Sequence, residues 1–231
     1  METPQRQLLL DLKPEQPPTL NNFVTGANGE LLRRLRNLCE THSFDALYIW
    51  GPPGSGKSHL LAAAAACASA QRPVKYLQGA QAGDELSPAP GSLLVIDDVQ
   101  LLGPEAQIAL FRAFNAARFL GLALLLAGND PPLRLTLRED LRTRIGQTLI
   151  YEIQSLSDEE KAAALWRHAI ERGMLMDAGV VHYLLRHGRR DLPSLMAMLN
   201  SLDRASLEQK RPPTLPLLRE LMQTTLDLEK E

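Results

Sequence analysis

The run Gly51-Pro52-Pro53-Gly54-Ser55-Gly56-Lys57-Ser58 constrains this chain more than any other stretch. It follows the apolar residues 46–50 and opens into His59-Leu60-Leu61 and an alanine-rich segment reaching residue 70. The spacing G-x-x-x-x-G-K-S between a strand and a helix is a P-loop. Its glycines let successive backbone N–H groups turn toward phosphate oxygens, and the helix start adds a positive dipole end. Lys57 would reach the β- and γ-phosphates, and the Ser58 hydroxyl would ligate Mg²⁺. The expected ligand is a nucleotide, held along Gly51, Pro52, Pro53, Gly54, Ser55, Gly56, Lys57 and Ser58.

A second strand supports this. Residues 92–96 are apolar except for Ser92 and run into Asp97-Asp98, which describes a buried parallel strand with acids at its carboxyl end, where α/β sites form. Asp97 is expected to hold Mg²⁺, directly or through water, and Asp98 to orient an attacking water. Residues 121–128 read as another buried strand ending at Asn129. That side chain either senses the γ-phosphate or forms the turn before Pro131-Pro132. Residues 74–77 and 149–153 add two more strands. Residues 104–120 read as an amphipathic helix with Ile108, Phe111, Phe114 and Ala117 on one side. Residues 133–144 read as a basic helical stretch, and 78–92 as a loop. Five strands alternating with helices imply an α/β fold, a five-stranded parallel sheet with helices on both faces.

The rest of the chain is organised around that base. Its 231 residues suffice for one large domain and a small one. The net charge of −2 gives no global basic field. Cys39 and Cys67 have no metal-like spacing and read as thiols in a reducing compartment. No signal pattern or membrane-length apolar run is present, so the cytoplasm is expected and a membrane partner is not. Arg33, Arg34 and Arg36 read as the solvated side of a helix. Residues 1–18 form a polar tail containing Gln7-Leu8-Leu9-Leu10-Asp11-Leu12, followed by Pro14, Pro17 and Pro18. The leucine cluster is either a strand packed on its own domain or a docking peptide on an extended arm. Beyond residue 155, Ser157-Asp158-Glu159-Glu160 reads as a capping box. Helices are expected at about 158–171, 178–187, 192–208 and from 215. His168, His182 and His187 read as solvent-facing or capping.

These motifs carry a resemblance. The P-loop, the Asp-Asp strand, Asn129 and Leu141-Arg142-Thr143-Arg144 resemble an AAA+ ATPase. Asn22-Phe23-Val24-Thr25-Gly26, Gly56-Lys57-Ser58-His59-Leu60-Leu61, Ile96-Asp97-Asp98-Val99-Gln100 and Pro131-Pro132 resemble, more narrowly, the DnaA family of bacterial replication proteins. The resemblance implies an AAA+ base over residues 19–154 and an all-α lid over 155–231, after a tail at 1–18. It implies that Phe23, Val24 and His59 join the contacts to ADP or ATP, and that Asn129 is the first sensor. Gln7, Leu8, Leu10 and Leu12 resemble the hexapeptide that docks into the replisome's sliding clamp (the DNA polymerase III beta subunit). DnaA itself continues into a helix-turn-helix domain and inserts helices where residues 78–92 form a short interval. This sequence stops at Glu231, so the expectation is a clamp-docked, DnaA-homologous regulator near the nucleoid, with DNA reached through the clamp. Its role would be to stimulate ATP hydrolysis by DnaA, with Arg144 as an arginine finger in trans and Arg142 as the runner-up. Alignment puts Pro193 where a lid sensor arginine is usual, implying weak independent turnover, with Arg189 or Arg190 as substitutes. A helicase-loader or clamp-loader ATPase is the alternative, and a homo-oligomer is allowed.

Overall fold

The computed structural model describes residues 17–40, 45–84, 86 and 88–228. Residues 17–155 form one compact unit and those from 156 onward a second.

The first unit is a parallel sheet. Its strands are β1 (Ala46–Trp50), β2 (Val74–Gln78), β3 (Leu93–Asp97), β4 (Ala123–Gly128) and β5 (Leu149–Glu152), in spatial order β2-β3-β4-β1-β5. Every neighbouring pair is parallel, and Trp50 pairs with Gly128 while Ile96 pairs with Leu126. Side chains alternate across a strand, so both faces of β3 and β4 must be apolar to carry helices on both sides. They are. Leu47, Ile49, Leu93, Val95 and Leu125 face α1 (Gly29–Glu40) and α2 (Lys57–Ala68). Tyr48, Leu94, Ile96, Leu124 and Leu126 face α3 (Pro104–Leu120) and α4 (Glu139–Gly146). The alanines of α2 let its backbone lie close to the sheet, with Ala63, Ala64 and Ala68 buried. Each fully buried leucine contributes roughly 1.5–3 kcal/mol.

Two expectations are corrected here. The buried stripe of α3 is Ala106, Ala109, Leu110, Ala113 and Ala117, while Ile108, Phe111 and Phe114 are only half-buried. Leu110 and the alanines are the fully buried positions, and Phe111 and Phe114 pack half-buried against the same cluster. Residues 133–144 are not one helix. A 3₁₀ turn at Pro132–Arg134 gives way to extended backbone through Leu135, and α4 starts only at Glu139. Arg138 has extended backbone as the N-cap of α4, and its N–H is taken by the Gln107 side chain of α3 at 2.9 Å. Leu135 and Leu137 are buried as anchors instead.

One link closes the unit across 126 positions. The Asn28 side chain donates to the Gln154 carbonyl (3.0 Å) and accepts from its N–H (2.8 Å), just after β5. At the amino ends of the strands, Arg72 is 5% exposed and donates to the carbonyls of Gly91, Ser92 and Gly121 at 2.8–3.1 Å.

The second unit contains α5 (Asp158–Arg172), α6 (Ala178–His187), α7 (Leu192–Gln209) and α8 (Leu215–Leu228). Ser157 and Glu160 form the reciprocal capping box at α5, and Asp177 and Asp191 cap α6 and α7. Leu165, Val181, Leu184, Leu195, Leu199, Leu202 and Leu218 make its core. Arg172 pairs with Asp203 at 2.7 Å, and His168 bonds Asn200 at 2.7 Å rather than facing solvent. Arg33, Arg34 and Arg36 are exposed on α1, as read. Among the described residues no helix is long and apolar enough to cross a membrane.

Candidate functional site: the carboxyl edge of the sheet

The tips of β1, β3 and β4 converge where the sequence pattern points. Gly51, directly after β1, is buried and donates its N–H to the Gly128 carbonyl at the end of β4 (3.3 Å). Pro52, Pro53 and Gly54 are exposed, and a Ser55 N–H to Pro52 carbonyl bond closes the loop's turn at 3.2 Å. Gly56 enters α2 with φ +97°, and a Cβ there would lie 2.8 Å from the Phe23 ring. Both its conformation and its neighbour demand glycine.

Phe23 is therefore seated against the P-loop. Its ring centroid is 5.7 Å from that of His59, whose Nε2 lies 3.1 Å from the Thr19 carbonyl. Val24 is half-buried beside it in sequence, and Ser58 is exposed on the first turn of α2. The segment before α1 thus crosses the P-loop, a proximity that no local periodicity signals.

Lys57 is 6% exposed, and its ammonium donates to the Gly51 (2.8 Å) and Pro52 (3.0 Å) carbonyls. Burial pushes its pKa down, while the Asp98 and Asp97 carboxylates pull it back up. Asp97 is 1% exposed and accepts from its neighbour's N–H at 3.0 Å and from the Tyr76 hydroxyl at 3.3 Å. Burial first, then the charge of Asp97, pushes the Tyr76 phenol up to about 12. Asp98 is half-buried with φ +52°, a left-handed conformation that Asp tolerates better than most residues. The Gln100 amide donates to its Oδ1 at 2.8 Å. Gln100 was not foreseen as a site residue, although the two-residue offset in Asp98-Val99-Gln100 is what a tight 3₁₀ turn brings together. Asn129 is half-buried at the tip of β4, one residue beyond the Gly128 carbonyl that receives the Gly51 N–H.

The residues present fit a polyphosphate. Among the described residues the Ser55 Oγ is buried with no partner, and the Lys57 ammonium hydrogen-bonds only two neutral carbonyls, with the Asp98 and Asp97 carboxylates acting on it through their charge. A buried hydroxyl and ammonium left in this way are costly unless an anion joins them. Among the described residues no three His, Cys, Asp or Glu side chains converge as a metal site. A Mg²⁺ ion needs fewer protein ligands, since it takes phosphates and water as well; Asp97 and Ser58 are the side chains suited to hold it.

Arg144 stands on a different surface. It is exposed on α4; its Nη2 donates to the Asn115 Oδ1 of α3 at 2.8 Å, and its Cζ lies 5.8 Å from the Phe111 ring centroid. Phe111, Arg138, Glu139, Asp140, Thr143, Arg144 and Gln147 line an open groove of about 820 Å³. Arg142 is half-buried on the same helix. Gln7, Leu8, Leu10 and Leu12 lie outside the described residues.

A parallel sheet of order β2-β3-β4-β1-β5, a P-loop at β1, paired acids at β3 and a following helical unit define the AAA+ class of P-loop proteins. Solved structures share this fold. The AMPPCP-bound DnaA of Aquifex aeolicus is 24% identical, with TM-score 0.70, over 82% of this chain and 66% of that one. Domain III of Thermotoga maritima DnaA is 18% identical, with TM-score 0.78, over 91% and 97%. A RuvB variant from Thermotoga maritima reaches TM-score 0.71 at 18% identity over 90% and 73%. The chain thus spans about two thirds of the length of the longer initiator structure. Within the AAA+ class its second unit is specific: residues 158–222 match the family model described as the Hda lid domain, and the chain is Hda-like in this unit.

Proposed function

We propose that the protein is a nucleotide-bound regulator of DNA replication initiation that stimulates ATP hydrolysis by DnaA. In this reading Gln7, Leu8, Leu10 and Leu12 dock on the sliding clamp, so DNA is reached through the clamp. Arg144 enters the ATP site of DnaA in trans. The observation that carries the reading is Arg144 itself, an exposed guanidinium steadied by Asn115 and Phe111 at the rim of an open groove. A guanidinium placed so stabilises charge developing on a transferred phosphoryl group, an effect on the order of 10³–10⁵ in rate. Its planar fork suits two phosphate oxygens better than a lysine would.

The protein's own pocket then serves binding more than turnover. Gly51 to Ser58 cradle the phosphates of ADP or ATP, Phe23, Val24 and His59 flank them, and Asn129 stands at the adjacent strand tip. Bound Mg²⁺ would neutralise phosphate charge. The Gln100 amide holds one oxygen of Asp98, its Oδ1. Pro193 occupies the first turn of α7, where a sensor arginine is usual, and independent hydrolysis is correspondingly slow.

The test is hydrolysis of DnaA-bound ATP on clamp-loaded DNA, with and without the protein. Stimulation is expected, with at least a tenfold loss for Gln7→Ala/Leu10→Ala. No stimulation by the unaltered protein would overturn the function. Full stimulation by the tail variant would overturn the docking.

A further inference from the structure

We propose that the second unit carries a cationic seat for the sugar–phosphate backbone of duplex DNA, built from the end of α6 and from α8. The choice of DNA rests on the replication reading above; the seat rests on side-chain geometry. Tyr183 and His187 lie one turn apart on α6, with ring centroids 4.3 Å apart and planes inclined by 33°. Arg219 of α8 lays its guanidinium 5.0 Å from the centre of the Tyr183 ring. Arg186 shares the last turn of α6, and Arg190 follows just beyond Gly188.

Arg186, His187, Arg190 and Arg219 are all exposed. Among the described residues, none of these four forms a salt bridge to a carboxylate. Other arginines of the same unit do: Arg172 meets Asp203 at 2.7 Å and Arg211 meets Glu220 at 3.2 Å. Arg189 is set apart too, because its charge acts on Asp191. Complementing the α6 dipole accounts for Arg186, but not for Arg190 and Arg219.

The rings decide what kind of strand fits. Tyr183 is half-buried, with the Arg219 guanidinium over its ring and the His187 ring beside it, so it steadies a cation rather than offering an open stacking face for unpaired bases. Cations without a base platform read phosphates, independent of sequence. With a net charge of −2 over the chain, attraction rests on local cationic groups rather than on a global field.

The test uses the full chain alone, with a short fluorescent duplex followed by anisotropy across a salt series. Binding is expected, with a linear fall of log affinity against log salt. Arg186→Glu/Arg190→Glu should weaken it by at least about tenfold and reduce the slope's magnitude by about 2. Arg167→Glu/Arg204→Glu makes the same change in net charge from exposed positions on α5 and α7, and should leave binding within about twofold. The milder Arg190→Gln, which should reduce the slope by about 1, covers the case in which the double variant fails to fold. Equal weakening by the two charge-reversed variants, tighter binding to an unpaired strand, or no binding would each overturn the seat. Neither DnaA nor the clamp is present in this assay, so its failure leaves the stimulation reading intact, and the reverse holds.

Discussion

Arg72 and Arg144 belong to the same domain and carry the same head group, yet the fold treats them oppositely. At the amino ends of β3 and β4, Arg72 is buried and commits its donors to three carbonyls of its own chain. On the α3–α4 face, Arg144 is exposed and, among the described residues, donates one hydrogen bond, to the Asn115 amide oxygen. Lys57, at the carboxyl edge, is intermediate: buried like Arg72, but hydrogen-bonded to only two carbonyls, with the Asp98 and Asp97 charges acting on it and the Ser55 hydroxyl without a partner among the described residues. A cation whose donors are used up by the chain belongs to the fold. One whose donors remain open belongs to something outside it.

Substitutions can break this division. Arg72→Met takes a donor from the part-buried carbonyls of Gly91 and Gly121, while the Ser92 carbonyl keeps the Ala123 N–H; it should cost about 2 kcal/mol of stability, a fall of roughly 6 °C in Tm. Nucleotide affinity measured below the transition should not change. Lys57→Met should do the reverse. It removes a buried charge, so the ligand-free Tm should hold or rise, while calorimetry should show ADP affinity down about 100-fold. A Lys57→Met protein that binds ADP normally would contradict the phosphate cradle. Gly56→Ala should cost about 2 kcal/mol, because alanine resists φ +97° and its methyl meets the Phe23 ring. Pairing it with Phe23→Ala should relieve the contact and leave the backbone cost, which sharpens the role of the segment before α1.

How far the sequence disclosed this division differs by edge. The carboxyl edge was legible, because glycine spacing and paired aspartates after apolar runs are local signals. The strands and α6 were legible for the same reason, and the composition of β3 and β4 announced two covered faces. Arg72 was not: one arginine after an alanine-rich helix has no pattern, and its three acceptors come from loops distant in sequence. The Asn28–Gln154 link and the seat of Phe23 on Gly56 were hidden likewise, since only tertiary folding creates them. On α3 the helix and its apolar side were legible, but the periodicity of Ile108, Phe111 and Phe114 did not show that Leu110 and the alanines would be the fully buried positions.

The smallest expected effect is a pH dependence. Tyr76 keeps its proton in the folded protein up to about 12, whereas an unfolded phenol ionises near 10. Its contribution to stability is thus complete below about pH 10 and is lost between roughly 10 and 12. Tyr76→Phe should flatten that limb of a Tm-against-pH curve.

Single-turnover hydrolysis of DnaA-bound ATP on clamp-loaded DNA, with Arg144→Ala against the unaltered protein, bears most directly on the role given to the open guanidinium. The expected result is a loss of stimulation by about 10³ or more, with the Tm of the variant and its ADP affinity unchanged. Stimulation that survives Arg144→Ala but disappears with Arg142→Ala, or that survives both, would contradict it.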